Sequence, residues 1–185
     1  MKLKTKDMTL VSLFTALTII GTLISIPIGP VPITLQLLFI ILGAVVLGSK
    51  LGALSQVIYV ALGLAGLPIF AGATGGVSKV ISPTFGYLIG YIIAAFVIGK
   101  IIECSSEVTF FKIFIAGSIG IIVVYFIGVP YLYVILKIFM GKNISFLYAI
   151  NIGLVLFIPG DLAKVIVVSF IGMKLIPKLK SAGLV

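Results

Sequence analysis

Apolar runs of bilayer-spanning length follow one another along almost all of these 185 residues, and no water-soluble fold accommodates them. A transmembrane helix takes about 20 mostly apolar residues. Met8 to about Ile26, Ile33 to Gly48, Leu51 to Leu64, Tyr87 to about Ile102, Lys112 to about Lys137, and a last region from Phe146 to about Ile176 are the candidates. Hydrophobic types make up 62% of the chain and charged ones 9%, against roughly 25% charged in soluble domains. The expectation is an all-α integral membrane protein in which residues 1–185 form one transmembrane domain. No length is left for a separate catalytic or ATP-binding domain.

The breaks between runs carry most of the remaining information. The first run follows Lys2, Lys4 and Lys6, as a signal peptide would. No small-x-small cleavage site follows it, and Pro27 to Pro32 leads directly into the next run, so it reads as a retained first helix. Gly48-Ser49-Lys50 reads as the turn of a tight helical hairpin. Between Ala65 and Tyr87, Gly66, Pro68, Gly72, Gly75, Gly76, Pro83 and Gly86 exclude a regular span. A long loop of this kind is usually functional, and this one is apolar enough to fold back as a lid. Gly128 and Pro130 are placed to bend the fifth helix. Near the end, Pro159-Gly160 should terminate one segment and Asp161 should N-cap the next. That last helix, Asp161 to Ile176, is about 24 Å long and starts inside the bundle.

Thirteen basic residues against four acids give a net charge of +9. In a soluble protein that balance would suggest nucleic acid, but here the lysines punctuate apolar runs and read as topology signals, with no nucleic-acid role. A cytoplasmic N-terminus puts Lys2, Lys4, Lys6, Lys50, Lys100, Lys112, Lys174, Lys178 and Lys180 inside and Lys79, Lys137 and Lys142 outside. Nine against three satisfies the positive-inside rule. The expected topology is six helices in the plasma membrane, both termini cytoplasmic and the 65–87 loop outward. Lys164 lies within the last span.

With no His, no Arg, no Trp and one Cys, the chain lacks a metal cluster, a His-dependent nucleophile and any disulfide. Cys104 reads as inert, and no enzyme activity, metal or cofactor is expected. Asp161 and Lys164 are the informative pair, because an ionisable group at bilayer depth costs about 2.5–3.5 kcal/mol and marks a site. Three residues apart, they share a helical face with Cβ atoms about 5–6 Å apart. They can line one pocket without closing into an ion pair; the alternative is a structural salt bridge with a helix cap. Gln36 either faces a ligand or bonds a neighbouring helix, and Asn151 reads as the latter. Tyr59, Tyr91 and Tyr125 fit interfacial belts, whereas Tyr87 closes the glycine-rich loop and is assigned to the site. The glycines of that loop lack the Lys-Ser/Thr of a P-loop; they either let backbone approach a ligand or form a flexible connection. Ser12 and Ala16 make a small-xxx-small step suited to close helix packing, inside the chain or with a partner.

Taken in order, Pro30-Val31-Pro32-Ile33-Thr34-Leu35-Gln36, Leu47-Gly48 through Tyr59 and Gly63, Gly66-Leu67-Pro68-Ile69-Phe70-Ala71-Gly72 with Gly75-Gly76, Pro83-Thr84 with Gly86-Tyr87, and Ile158-Pro159-Gly160-Asp161-Leu162-Ala163-Lys164 form a pattern. It resembles the biotin-specific substrate-capture subunits (S components, BioY) of energy-coupling factor transporters over nearly the whole chain. The resemblance implies a six-helix S-component fold and a biotin pocket near the outer face. The loops between the first and second and between the third and fourth helices would close it. It also implies a transmembrane scaffold subunit and two ATPase subunits as partners, with Ser12 and Ala16 facing the scaffold and Asp161 and Lys164 in the ligand site. The family usually reads Gly-Pro-Thr-Gly-Gly-Tyr where this chain has Ser82-Pro83-Thr84-Phe85-Gly86-Tyr87, and Phe85 bears on lid closure.

The side chains suit that ligand. A ureido ring presents one carbonyl acceptor and two N–H donors, so Lys164 can donate and Asp161 accept. Tyr87, Thr84 or a backbone N–H of Gly75 or Gly76 could hold the carboxylate, and Lys79 is a further candidate without family support. The implied function is biotin capture for an ATP-driven importer. The alternative is a stand-alone secondary carrier or facilitator for biotin or another small vitamin-like solute. One buried Asp–Lys pair is thin equipment for an enzyme, and a purely structural subunit would bind no small molecule tightly.

Overall fold

The computed structural model describes residues 4–105 and 107–183, apart from the side chain of Lys180. Of the topology lysines, Lys2 lies outside the described residues, as does the side chain of Lys180. Helices α1 (Thr5–Leu23), α2 (Gln36–Leu64), α3 (Phe85–Glu103), α4 (Phe110–Val134), α5 (Phe146–Ile150) and α6 (Ile158–Ser181) make up most of the chain. A π-helical turn, Ile135–Phe139, extends α4, and another, Asn151–Val155, follows α5. Among the described residues, five stretches are long and apolar enough to cross a membrane: Thr5–Leu23, Gln36–Leu64, Phe85–Glu103, Phe110–Phe139 and Phe146–Leu179.

α2 is two arms joined at an elbow, as the Gly48-Ser49-Lys50 turn suggests. Gly48 has φ 78° and ψ −174°, a conformation that only glycine adopts cheaply. A Cβ built on Gly52 would lie 3.0 Å from the Cα of Ala44, whereas residues eight apart in one helix are about 12 Å apart. The chain therefore doubles back. Glu103, at the end of α3, accepts hydrogen bonds from the Ser49 N–H (2.7 Å) and Ser49 Oγ (2.9 Å), occupying an N–H that the second arm leaves orphaned. Gly99 permits this contact, since any side chain there would meet the Gly48–Ser49 backbone.

Thr15, Thr18 and Thr22 recur at helical spacing on α1 and face the second arm. Gln56 Nε2 donates to Thr18 Oγ1 (3.2 Å), Thr15 Oγ1 bonds Ser55 O (3.1 Å), and the Thr22 and Tyr59 hydroxyls share a 3.2 Å bond. Such pairing satisfies polar groups that lipid could not. Ile40, Ile41, Ala44, Ala94, Ile98, Ile113, Ala116, Val165 and Val168 are fully buried where α2, α3, α4 and α6 meet. Phe111, Phe126 and Leu147 are instead more than 70% exposed, the reverse of a soluble surface. Lys6 Nζ donates to Gly183 O (2.7 Å), so the start of α1 meets the segment after α6, and Lys6 lies beside the Gly48 elbow.

Several local expectations need correction. Pro27 to Pro32 does not run straight into a helix: Ser25–Ile26 (β1) pairs antiparallel with Ile33–Thr34 (β2), Ser25 opposite Thr34. Gly29, at φ 64°, turns the chain between them, and α2 starts only at Gln36. Pro159-Gly160 does not end a segment either. Pro159 sits in the first turn of α6, where a missing N–H costs nothing, and the Asp161 N–H already bonds Phe157 O at 2.9 Å. Asp161 is thus a first-turn residue and not the N-cap. The 65–87 stretch carries structure of its own, a Phe70–Thr74 bridge and a 3-10 helix, Val77–Ile81. Tyr87 consequently lies inside α3 instead of closing the loop.

Candidate ligand site

A cavity of about 190 Å³ lies beneath the β1–β2 ribbon and the α2–α3 connection. Pro30, Pro32 and Thr34 wall it from the ribbon, Phe70, Thr74, Lys79, Ser82 and Thr84 from the connection, and Gln36, Tyr59, Tyr87 and Tyr91 from the helices. A smaller chamber of about 30 Å³ adjoins it and shares Val31, Pro32, Thr34, Tyr87 and Tyr91 as walls. Asp161, Lys164 and Tyr125 line this inner chamber. The site therefore has an outer chamber under the lid and an ionic floor.

At that floor Lys164 Nζ donates to Asp161 Oδ1 at 2.7 Å, and the Tyr125 hydroxyl donates to Oδ2. The side chains of Lys164 and Asp161 are 11% and 8% exposed. The i, i+3 spacing allows the two to share a pocket without closing into an ion pair; in the structure the pair is closed, as burial favours for opposite charges. The pair is closed but not saturated. An ammonium has three donors and a carboxylate about four acceptor positions, so Lys164 retains N–H groups and Asp161 lone pairs for a third party.

Tyr87 forms the partition between the chambers and is held from three sides. Its hydroxyl donates to Gly153 O at 2.7 Å, Gly128 leaves room for its ring, and a Cβ on Gly128 would lie 2.6 Å from Cδ1. The Tyr125 ring meets it edge-on, with centroids 6.3 Å apart. Gln36, only 4% exposed, lines the outer chamber, and its Nε2 has no hydrogen-bond partner among the described residues. A buried donor left unpaired is costly, and such groups in native structures call for an explanation.

The structure thus brings Asp161, Lys164, Gln36, Thr84 and Tyr87 to one site. It does not bring Gly75 and Gly76 there. The Gly76 N–H is committed to Gly63 O at 2.7 Å, and Gly75 is pressed against the Leu67 carbonyl, so both shape the connection and neither lines the cavity. Phe85 is also absent from the lining; it is 9% exposed and packs on Tyr131, ring centroids 6.2 Å apart. Asn151 is exposed and bonds no neighbouring helix among the described residues. Ser12 and Ala16 lie on the exposed face of α1 among Met8, Leu13 and Ile20.

Sequence reasoning missed Tyr59, Tyr91 and Tyr125. Tyr91 was findable, since it stands four residues after Tyr87 and therefore on the same face of α3. Tyr125 carries a subtler signal: it falls in the middle of α4, whereas belt tyrosines sit at helix ends.

The BioY family model matches residues 1–181. The chain is 42% identical over 163 residues to the biotin transporter BioY of Thermotoga maritima, covering 88% of this chain and 91% of that protein. It is 38% identical over 178 residues to the probable biotin transporter BioY of Lysinibacillus sphaericus, covering 96% and 90%. A solved S-component for biotin from an ECF-type ABC transporter superposes with a TM-score of 0.80 at 34% identity, covering 94% of both chains. The family match, the relatives and the solved structure agree, and the chain belongs to the BioY family.

Proposed function

We propose that this chain is the substrate-capturing subunit of an ATP-driven vitamin importer and that its ligand is biotin, taken up by a multi-pass protein of the plasma membrane. The observation that carries the reading is the unsaturated Asp161–Lys164 pair at the floor of a covered cavity. The ureido carbonyl takes an N–H of Lys164, a ring N–H gives to Asp161, and Tyr125 orients the carboxylate from behind. Gln36 Nε2, otherwise unpaired, supplies a further donor to the ligand. Tyr59, Tyr87 and Tyr91 wall the apolar part.

The topology in this reading is six crossings with both termini cytoplasmic. It is supported by the doubling of α2 at Gly48, by the Lys6–Gly183 contact, which requires an even number of crossings, and by the excess of lysines at that end. The exposed Ser12–Ala16 step on α1 is where a scaffold subunit, itself coupled to two ATPase subunits, would dock. The chain captures and reorients; ATP is hydrolysed elsewhere.

Calorimetric titration of the detergent-purified chain with biotin tests the capture, and submicromolar, near one-to-one binding is the expected result. No heat from a folded sample would sink the biotin assignment. In vesicles holding the reconstituted complex, Ala16→Trp should abolish ATP-driven uptake while leaving that binding intact. Uptake by the chain alone, indifferent to Ala16→Trp, would favour a stand-alone carrier.

A further inference from the structure

We infer that Lys79, on the 3-10 helix of the lid, is the counter-charge for the ligand's carboxylate, so that this chain selects free biotin over biotin whose acid end is masked as an amide. The inference rests on the biotin reading of the same site and adds the group that fixes its outer end. Three other candidates for that role are already occupied or misplaced. The Tyr87 hydroxyl is spent on Gly153 O, the Gly76 N–H is spent on Gly63 O, and Gly75 does not line the cavity.

Charge at the loop end points the same way. Asp7, Glu103 and Glu107 lie at the elbow end, and Glu103 is separated from the lid by the length of α3, about 28 Å for its nineteen residues. Asp161 is the remaining acid, and Lys164 already neutralises it. Of the three lysines near the lid, Lys137 is exposed and donates to the Tyr133 hydroxyl, and Lys142 lines a separate surface cleft. Lys79 is half-buried, lines the chamber over Gln36, and forms no ion pair among the described residues.

A half-buried ammonium without a counter-ion is a place for an anion. Beside it, the Ser82 and Thr84 hydroxyls bond each other at 3.0 Å in the same wall, which leaves one of the two O–H groups free to donate to an anion. An elongated ligand whose ureido ring sits on Asp161 and Lys164 extends from the inner chamber into the outer one, toward Lys79. Because Lys79 rides on the lid, its bond to the carboxylate also ties the lid down.

The test is binding of biotin and of biotinamide, its neutral carboxamide, to wild type, Lys79→Met and Lys79→Arg by calorimetry. Wild type is expected to prefer biotin by at least tenfold. Lys79→Met should bind biotin no better than biotinamide, with its biotinamide affinity unchanged, and Lys79→Arg should keep most of the preference. A Lys79→Met variant that discriminates as wild type does overturns the inference alone and leaves biotin capture standing. Wild type that binds neither compound overturns the biotin reading and this inference with it.

Discussion

Removing both charges at the floor of the site separates a structural ion pair from a ligand-binding one. Lys164→Met alone leaves the Asp161 carboxylate, its side chain 8% exposed, without the ammonium 2.7 Å away. Stripping one partner from a buried pair costs about 3–5 kcal/mol. At about 2–4 °C per kcal/mol for a chain of this size, Tm should fall by about 6–20 °C. The double variant Asp161→Asn/Lys164→Met keeps the volumes nearly constant and leaves an amide oxygen to accept from Tyr125. Replacing a whole buried pair by neutral groups is close to neutral in stability, so Tm should return to near the wild-type value. Biotin binding should not return with it. The ureido group has lost two charge-assisted hydrogen bonds worth about 1.5–3 kcal/mol each, so affinity should fall by at least about 100-fold, each 1.4 kcal/mol being tenfold. Thermal unfolding followed by circular dichroism in detergent, and calorimetry on the same samples, give the two readouts. A double variant with wild-type Tm and biotin affinity within about threefold of wild type would refute the ligand role and leave the pair as architecture.

Two further substitutions probe the walls. Gln36→Leu removes a buried amide whose Nε2 has no partner; stability should hold or rise by up to about 1–3 kcal/mol while biotin affinity drops about tenfold, and unchanged affinity would remove Gln36 from the site. Gly128→Ala places a methyl 2.6 Å from the Tyr87 ring, and overpacking of about 1–3 kcal/mol should lower Tm and biotin affinity together. Gly160→Ala, with nothing within 4 Å of the new Cβ, is the control that should leave biotin affinity unchanged and hold or slightly raise Tm.

What could be read from the sequence was what depends on one segment at a time. The elbow at Gly48 follows from a glycine and a serine between two apolar runs, and the importance of Asp161 and Lys164 follows from charge where lipid penalises it. The lid follows from glycines and prolines too dense for a helix. Relations between segments were not legible. Nothing near Tyr125 says that it faces Asp161 across the bundle, because that depends on how α4 and α6 cross. Pro159-Gly160 reads as a break, yet it falls in the first turn of α6, just after the π-helical turn Asn151–Val155. Gly75 and Gly76 look like ligand-facing backbone, yet their amide and packing needs are met within the connection by Gly63 and Leu67.

α3 begins at the lid, N-capped at Thr84, and ends at the elbow, where Glu103 holds Ser49. Its contacts along the way are smooth, because Gly90 meets the Val124 backbone, Gly99 meets the elbow, and Gly120 of α4 receives Ile98. α3 is thus one continuous helix, closely packed along its length, that joins the lid to the elbow. A tilt of about 10° about the lid end carries Glu103 through about 5 Å over a length of about 28 Å, more than enough to draw its carboxylate off Ser49. If closure over a ligand tilts α3, the hairpin is unlatched at the opposite face. Cys104, the sole cysteine and exposed beside Glu103, is a native mount for a spectroscopic ruler that would read the stroke.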